Sequence, residues 1–295
     1  MAKSLKGVLK LVYPINGIQI EDWSGLEKLF HKKFYTDLRI DPAEKDVGIV
    51  IPPLITRENL LKLSDIMFDT FNVKALYLIP EPVAISLFNR KLNSIILHSG
   101  YSYTYLAHIK NGLLEGQSVK ILTYGMRNIA EYFRKLVKMD HRVLDNDSVI
   151  DILIKNGHVS LNIQDQSFVK FNYMLPDGST LYFDKELYLA FEILFNPNII
   201  GLEQKGISIA MKDYYEEVNE ELPMILAGGC VFVDGFATRL EIESEMKIKT
   251  HISDDFLYQE WKGASFLIKK GYIKPFPRNQ YKQDPKSIFN YLAWY

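Results

Sequence analysis

The chain has 295 residues, 47% of them hydrophobic and 24% charged, so it is long enough for about two domains and for a buried core without covalent staples. The formal net charge of −1 removes the basic footprint expected of a nucleic-acid binder. The single cysteine, Cys230, excludes an internal disulfide and fits a reducing compartment. No apolar run approaches the roughly 20 residues of a membrane span. The apolar N-terminal stretch is broken by Lys10 and ended by Pro14, which makes a poor signal peptide and a better first strand through Val8, Leu9, Leu11 and Tyr13. The expectation is a cytoplasmic protein with no nucleic-acid and no membrane partner.

Ser24-x-x-Glu27 reads as a capping box, and Leu26, Leu29, Phe30 and Phe34 follow on one helical face. Asp46 to Ile51 is a short apolar strand stopped by Pro52-Pro53. Thr56 then caps a second helix whose Leu60, Leu63, Met67 and Phe71 share a face. Lys74 to Ile79 is another strand, Pro82 suits the first turn of a third helix through Phe88, and Ser94 to Leu97 is the next strand. Strand, helix, strand, helix, strand at this spacing argues for an α/β fold with parallel pairing and covering helices. Further on, Ile129, Tyr132, Phe133, Leu136 and Val137 mark an amphipathic helix, and Pro176-Asp177-Gly178 marks a turn. Met224 to Leu226 is a strand entering Gly228-Gly229, with helices after Gly235 and over Glu260 to Lys269. No short internal repeat is visible.

Residues 95–112, IILHSGYSYTYLAHIKNG, carry the clearest chemical signal. An apolar strand runs into Ser99-Gly100, turns, and returns as an alternating strand that turns again at Asn111-Gly112. This is the outline of a hairpin that cradles a phosphate. Such hairpins use an acid to handle the metal and glycines to let backbone N–H groups approach the phosphates. Here His98 takes the place of the acid, and Tyr101 and Ser102 stand where small or acidic residues are expected. The six histidines, His31, His98, His108, His141, His158 and His251, show no metal-ligand spacing with cysteine or acid, so no metal site is expected. Ser99 and Ser102 lack a histidine–acid pairing that would make either a nucleophile.

Several separated strings line up with one family. KGVLKLVYPINGIQIEDWSGLEKLFHKKFYTDLRIDPAEKDVGIVIPP and IMFDTFNVKALYL resemble the first-domain core of actin and actin-related proteins. YMLPDGSTLYF, FEILFNPNIIGLEQKGI, ILAGGCVFVDGFATRL and WKGASFL resemble its second half in the same order. The resemblance implies an actin-type two-domain α/β fold with a ribonuclease H-like core in each half and a nucleotide between them. It places residues 1–88 with 259–295 in an outer part and 89–258 in an inner part. Relative to the family, the chain starts after the first phosphate hairpin, so that hairpin and most of the small second subdomain are expected to be missing.

The resemblance also assigns a site. Of the second phosphate hairpin, Ser99, Gly100 and Thr104 match and Ser102 replaces a glycine, while Gly228 and Gly229 keep the adenosine-side turn. The family's catalytic-water histidine falls on Tyr105, its Lys-Glu base contacts on Leu153 and Ile154, a nucleotide-side lysine near Leu257, and an aromatic on Val233. Glu81 occupies the superfamily's water-polarising position, where an acid at a helix N-terminus is also placed favourably by the helix dipole. Leu87, Phe88, Phe266, Ile268 and Tyr272 would border an apolar groove that the family uses for neighbouring subunits and helical partner peptides.

The resulting expectation is a cytoskeletal or assembly-complex protein acting through contacts with other actin-like subunits or actin-binding proteins. Its nucleotide site is degenerate and it is not an enzyme. No cofactor is expected, with ATP and Mg²⁺ as the alternative. Two other readings stay open: an ATP-binding family member with weak or no hydrolysis, and an ATPase or kinase of another class with this fold.

Overall fold

The computed structural model describes residues 13–138, 144–161, 170–174, 178, 180–245, 250–251 and 258–291. In chain order the strands are β1 (Ile15–Asn16), β2 (Gln19–Ile20), β3 (Asp46–Ile51), β4 (Ala75–Pro80), β5 (Ser94–Ser99), β6 (Thr104–Lys110), β7 (Leu113–Leu114), β8 (Lys120–Leu122), β9 (Phe171–Met174), β10 (Thr180–Phe183), β11 (Met224–Ala227), β12 (Thr250–His251) and β13 (Phe276–Pro277). The α-helices are α1 (Trp23–His31), α2 (Arg57–Asp65), α3 (Glu81–Phe88), α4 (Met126–Leu136), α5 (Asn146–Asn156), α6 (Glu186–Leu189), α7 (Glu192–Phe195), α8 (Ile207–Val218), α9 (Phe236–Ser244), α10 (Gln259–Lys269), α11 (Arg278–Gln283) and α12 (Ile288–Tyr291). The expected strand residues Val8, Leu9 and Leu11, the turn residues Pro176 and Asp177, and His141 and Leu257 lie outside the described residues.

The chain divides into two compact units. The described residues of 97–106 and 121–252 form one, and those of 11–96, 107–120 and 253–295 form the other. Residues 89–96 and 107–120 belong to the unit that holds α3 and α10.

In the unit holding α3 and α10, β3 pairs in parallel with β4 from Asp46↔Ala75 to Ile51↔Pro80, and β13 adds antiparallel to β4. The parallel pair requires a crossover, which α2 supplies between the strands. Thr56 caps α2 by accepting from the Asn59 N–H at 3.1 Å, as the sequence indicates. At α1 the capping residue is instead Asp22, which accepts from the Gly25 N–H at 2.9 Å. The helix therefore starts at Trp23, ahead of the expected Ser24 box. A carboxylate at this end gains from both the N–H bond and the helix dipole.

Both α1 and α2 run on into π-turns, Lys32–Leu38 and Ile66–Thr70. Phe34, within the first of these turns, is buried, whereas Leu29 of α1 is exposed. Ile51, Leu60, Leu63, Met67, Phe68, Phe71, Leu76, Phe276 and Tyr281 pack into one core. The Tyr281 ring lies 4.8 Å from Phe68, and its hydroxyl donates to Asp65 Oδ1 at 2.8 Å, so a buried phenol keeps a partner.

The other unit is built around the inner ends of β5 and β6, with β11 and β12 in parallel register Met224↔Thr250 and Ile225↔His251. Within this unit the strand order is β12-β11-β5-β6. Phe133, Ile129, Ile152, Phe191, Leu194, Met211, Leu226 and Phe236 are fully buried in it. One charge pair sits within this apolar packing. Arg239, 7% exposed, holds Glu192, 2% exposed, with a second contact of 2.9 Å from Nη2 to Oε2. The guanidinium also donates to Glu243 at 2.6 Å and to the Ser160 carbonyl at 3.1 Å, and it lies 4.1 Å from the Phe195 ring centroid. Acceptors on Glu192, Glu243 and Ser160 thus meet the fork and a ring face covers its plane, which favours keeping such a pair in the interior.

Candidate functional site

The hairpin singled out in the sequence is formed by β5, the turn 100–103 and β6. The Gly100 N–H donates to the Tyr103 carbonyl at 3.0 Å and closes the turn. Thr104 Oγ1 donates to the Tyr124 carbonyl at 2.9 Å. A hydroxyl has one proton, so the 2.9 Å contact between Ser99 Oγ and Thr104 Oγ1 has Ser99 as donor. The two hydroxyls expected to face a phosphate are thus a buried relay that ends on a main-chain carbonyl.

The turn's carbonyls are engaged as well. Gly100 O accepts from Met126 N at 3.0 Å, and Tyr101 O accepts from Arg127 N at 2.8 Å. These are the first N–H groups of α4, so the hairpin backbone caps that helix, together with a 3.1 Å bond from Gly125 N to Asn128 Oδ1. Tyr101 Oη accepts from Asn146 Nδ2 at 2.9 Å, and Asn146 Oδ1 accepts from Arg134 at 3.1 Å. Ser102 is half-buried.

His98 and Tyr105 are buried, with rings 4.9 Å apart and 18° from coplanar, and Tyr103 stacks on Tyr105 at 6.0 Å. Aromatic rings therefore fill the strand ends where the family pattern has an acid and a histidine.

Gly228 adopts φ +83°, and a Cβ there would come within 2.3 Å of the Ser99 carbonyl oxygen. The glycine is needed for this close approach, which brings the 228–232 turn onto the hairpin. Gly229 has open space around its Cα. Next to it, Cys230 Sγ reaches the Gly100 carbonyl at 3.4 Å. Burial pushes the Cys230 thiol up to about 12 and outweighs the hydrogen bonding around it. Such a thiol is inert packing rather than a nucleophile.

The structure therefore brings Ser99, Gly100, Thr104, Gly228 and Gly229 together in one unit, around Cys230, Tyr124 and the start of α4. The roles of Tyr124, Met126 and Arg127 were not visible in the sequence. Gly125 followed by Asn128 ahead of the amphipathic run was the available signal. Leu153 is buried, Ile154 is exposed and Val233 is buried, so none offers a polar atom for a base or ribose.

The remaining expected residues belong to the other unit. Glu81 opens α3 and is half-buried. One of its carboxylate oxygens lies within 4.8 Å of one on Glu260, in the first turn of α10. This pairing of acids far apart in sequence was not legible beforehand. Helices α3 and α10 pack so closely that a Cβ on Gly263 would fall 1.9 Å from the Ala84 carbonyl oxygen. Of the expected groove residues, Leu87, Phe88 and Ile268 are half-buried, and the Ile268 Cδ1 packs onto Gly48 of β3. Phe266 and Tyr272 are 42% and 66% exposed.

Comparison with known proteins agrees with this architecture. The Actin family model matches residues 2–156 and 153–277. An "Actin-like protein" of Neurospora crassa is 27% identical over 292 residues, covering 90% of this chain and 77% of that protein. "Putative actin-29" of Dictyostelium discoideum is 29% identical over 293 residues, covering 89% and 75%. The strands, hairpin and helices described above are those of an actin-type α/β fold. The chain belongs to the actin family. Among the described residues no helix is long and apolar enough to cross a membrane.

Proposed function

We propose that this actin-family chain works as a cytoskeletal or assembly component through protein contacts, and that its phosphate-type hairpin no longer serves ATP. The observation that carries the reading is the closed Ser99–Thr104–Tyr124 relay, with His98 and Tyr105 stacked beside it. A triphosphate with Mg²⁺ needs acids to hold the metal and several donors directed at the phosphate oxygens. Here the hairpin carries no acid, its two hydroxyls are satisfied internally, and its carbonyls cap α4. The residues present do not fit the group, and no catalytic step is assigned to Glu81.

The partner-facing part is the surface of α3 and α10, where Phe266 and Tyr272 stand exposed and Leu87, Phe88 and Ile268 lie half-buried. Other actin-like subunits or actin-binding proteins are the partners this implies.

Isothermal titration with ATP and Mg²⁺, followed by an assay of released phosphate, tests the reading. The expected result is neither a saturable heat nor phosphate. Magnesium-dependent binding without phosphate would move the chain to the alternative of a nucleotide-binding, non-hydrolysing family member. Turnover would overturn the proposal.

A further inference from the structure

The ribbon of β9 and β10 is anchored on one face and open on the other. Pairing runs from Thr180↔Met174 to Phe183↔Phe171, and successive side chains point to opposite faces. Phe183 turns inward, 3% exposed, and its ring lies 5.3 Å from Phe133 of α4. A two-stranded ribbon needs such packing to be stable, so this contact accounts for Phe183. Tyr182 beside it is 78% exposed, and nothing in the ribbon's own stability requires a ring there.

One step beyond the last paired position, the register sets Lys170 opposite Asp184. Both line an open cavity of about 290 Å³, together with Tyr182, Phe183 and Glu186. That volume suits a small ligand. The two acids are held in place by local main chain. Glu186 Oε2 accepts from the Asp184 N–H at 3.0 Å, and Asp184 Oδ1 accepts from the Lys185 N–H. Each carboxylate has a second oxygen to offer. Opposite charges facing each other across strands commonly pair. Among the described residues, however, Lys170 forms no ion pair with Asp184 or Glu186, although all three border the same cavity.

We propose that this cavity binds a small ammonium carboxylate of the α-amino-acid class with an aromatic or apolar side chain. Its ammonium meets Asp184 and Glu186, its carboxylate meets Lys170, and its side chain lies against the Tyr182 ring. The charge pattern selects this class over simpler ones. A plain cation would face Lys170, and a plain anion would face two carboxylates. A molecule carrying both charges compensates both walls at once through charge-assisted hydrogen bonds.

The test titrates the whole chain with L-phenylalanine and follows saturation-transfer difference NMR. Phenethylamine, which lacks the carboxylate, and phenylpropionate, which lacks the ammonium, are the controls. The expected result is saturable binding of phenylalanine with a Kd on the order of 1 mM, and each control weaker by roughly tenfold or more. Lys170→Ala should reduce phenylalanine to the level of phenethylamine without weakening phenethylamine itself. The double variant D184N/E186Q keeps the acceptors for the main-chain N–H groups and should reduce phenylalanine to the level of phenylpropionate. Circular dichroism and melting curves confirm that each variant folds.

Absence of a saturable phenylalanine signal would overturn the proposal. Phenethylamine binding as well as phenylalanine to the unsubstituted chain would define a simple cation site and overturn it too. Phenylalanine binding unchanged in both variants would put the contact elsewhere and remove the assignment to this cavity.

Discussion

The hairpin around Ser99 and the end of α10 face opposite problems. At the hairpin, polar atoms are abundant but engaged. Ser99 and Thr104 pass their protons inward to a carbonyl, and Gly100 and Tyr101 terminate a helix. At the end of α10, rings and lysines are abundant and turned outward. A surface already satisfied by its own chain has little to offer a ligand. A surface with exposed apolar area and uncompensated charge has both a driving force and a means of selection. This contrast is what supports the proposal of a chain that acts through protein contacts and not through ATP.

Substitutions rank this contrast. The largest effect is expected in the hairpin's unit at the Glu192–Arg239 pair. Glu192→Ala removes the buried carboxylate of Arg239 and leaves it only the more exposed Glu243, so it should cost about 3 kcal/mol of unfolding free energy by denaturant titration. A loss within experimental noise would mean that the buried pair adds nothing to the interior of this unit, and the view of an inward-satisfied region would break. Thr104→Val removes the donor to Tyr124 and the acceptor of Ser99 while keeping the shape, with an expected loss of about 1–3 kcal/mol. Gained affinity for ATP in this variant would show that the relay had been blocking a competent site. The smallest effect belongs to α10. Phe266→Ala and Tyr272→Ala should each shift stability by only about 0.5 kcal/mol, because both rings are exposed. A loss several times larger would identify them as core and remove the argument for a docking surface.

Much of this was legible along the chain. The alternation of short apolar strands with amphipathic runs indicated an α/β unit. The Thr56 cap, the turn at Ser99-Gly100 and the entry of β11 into Gly228-Gly229 all appear where local chemistry places them. Capping at α1 shifted to Asp22, because two capping-competent residues stood close together and only the entering chain selects between them. The π-turns after α1 and α2 could not be anticipated, since a local widening of a helix leaves the apolar periodicity nearly intact.

The candidate site divides in the same way. The expectation of a degenerate nucleotide site at His98, Tyr105, Leu153 and Ile154 came from residue identities alone, because side-chain chemistry is written directly in the letters. Which atoms satisfy Ser99 and Thr104 depends on Tyr124 and α4. Whether Phe266 faces solvent depends on a helix packed as tightly as Ala84 and Gly263 allow. Hydrogen-bond partners and exposure belong to atoms brought together across long stretches of chain, so the sequence established which groups were present and the tertiary packing decided which of them remained available.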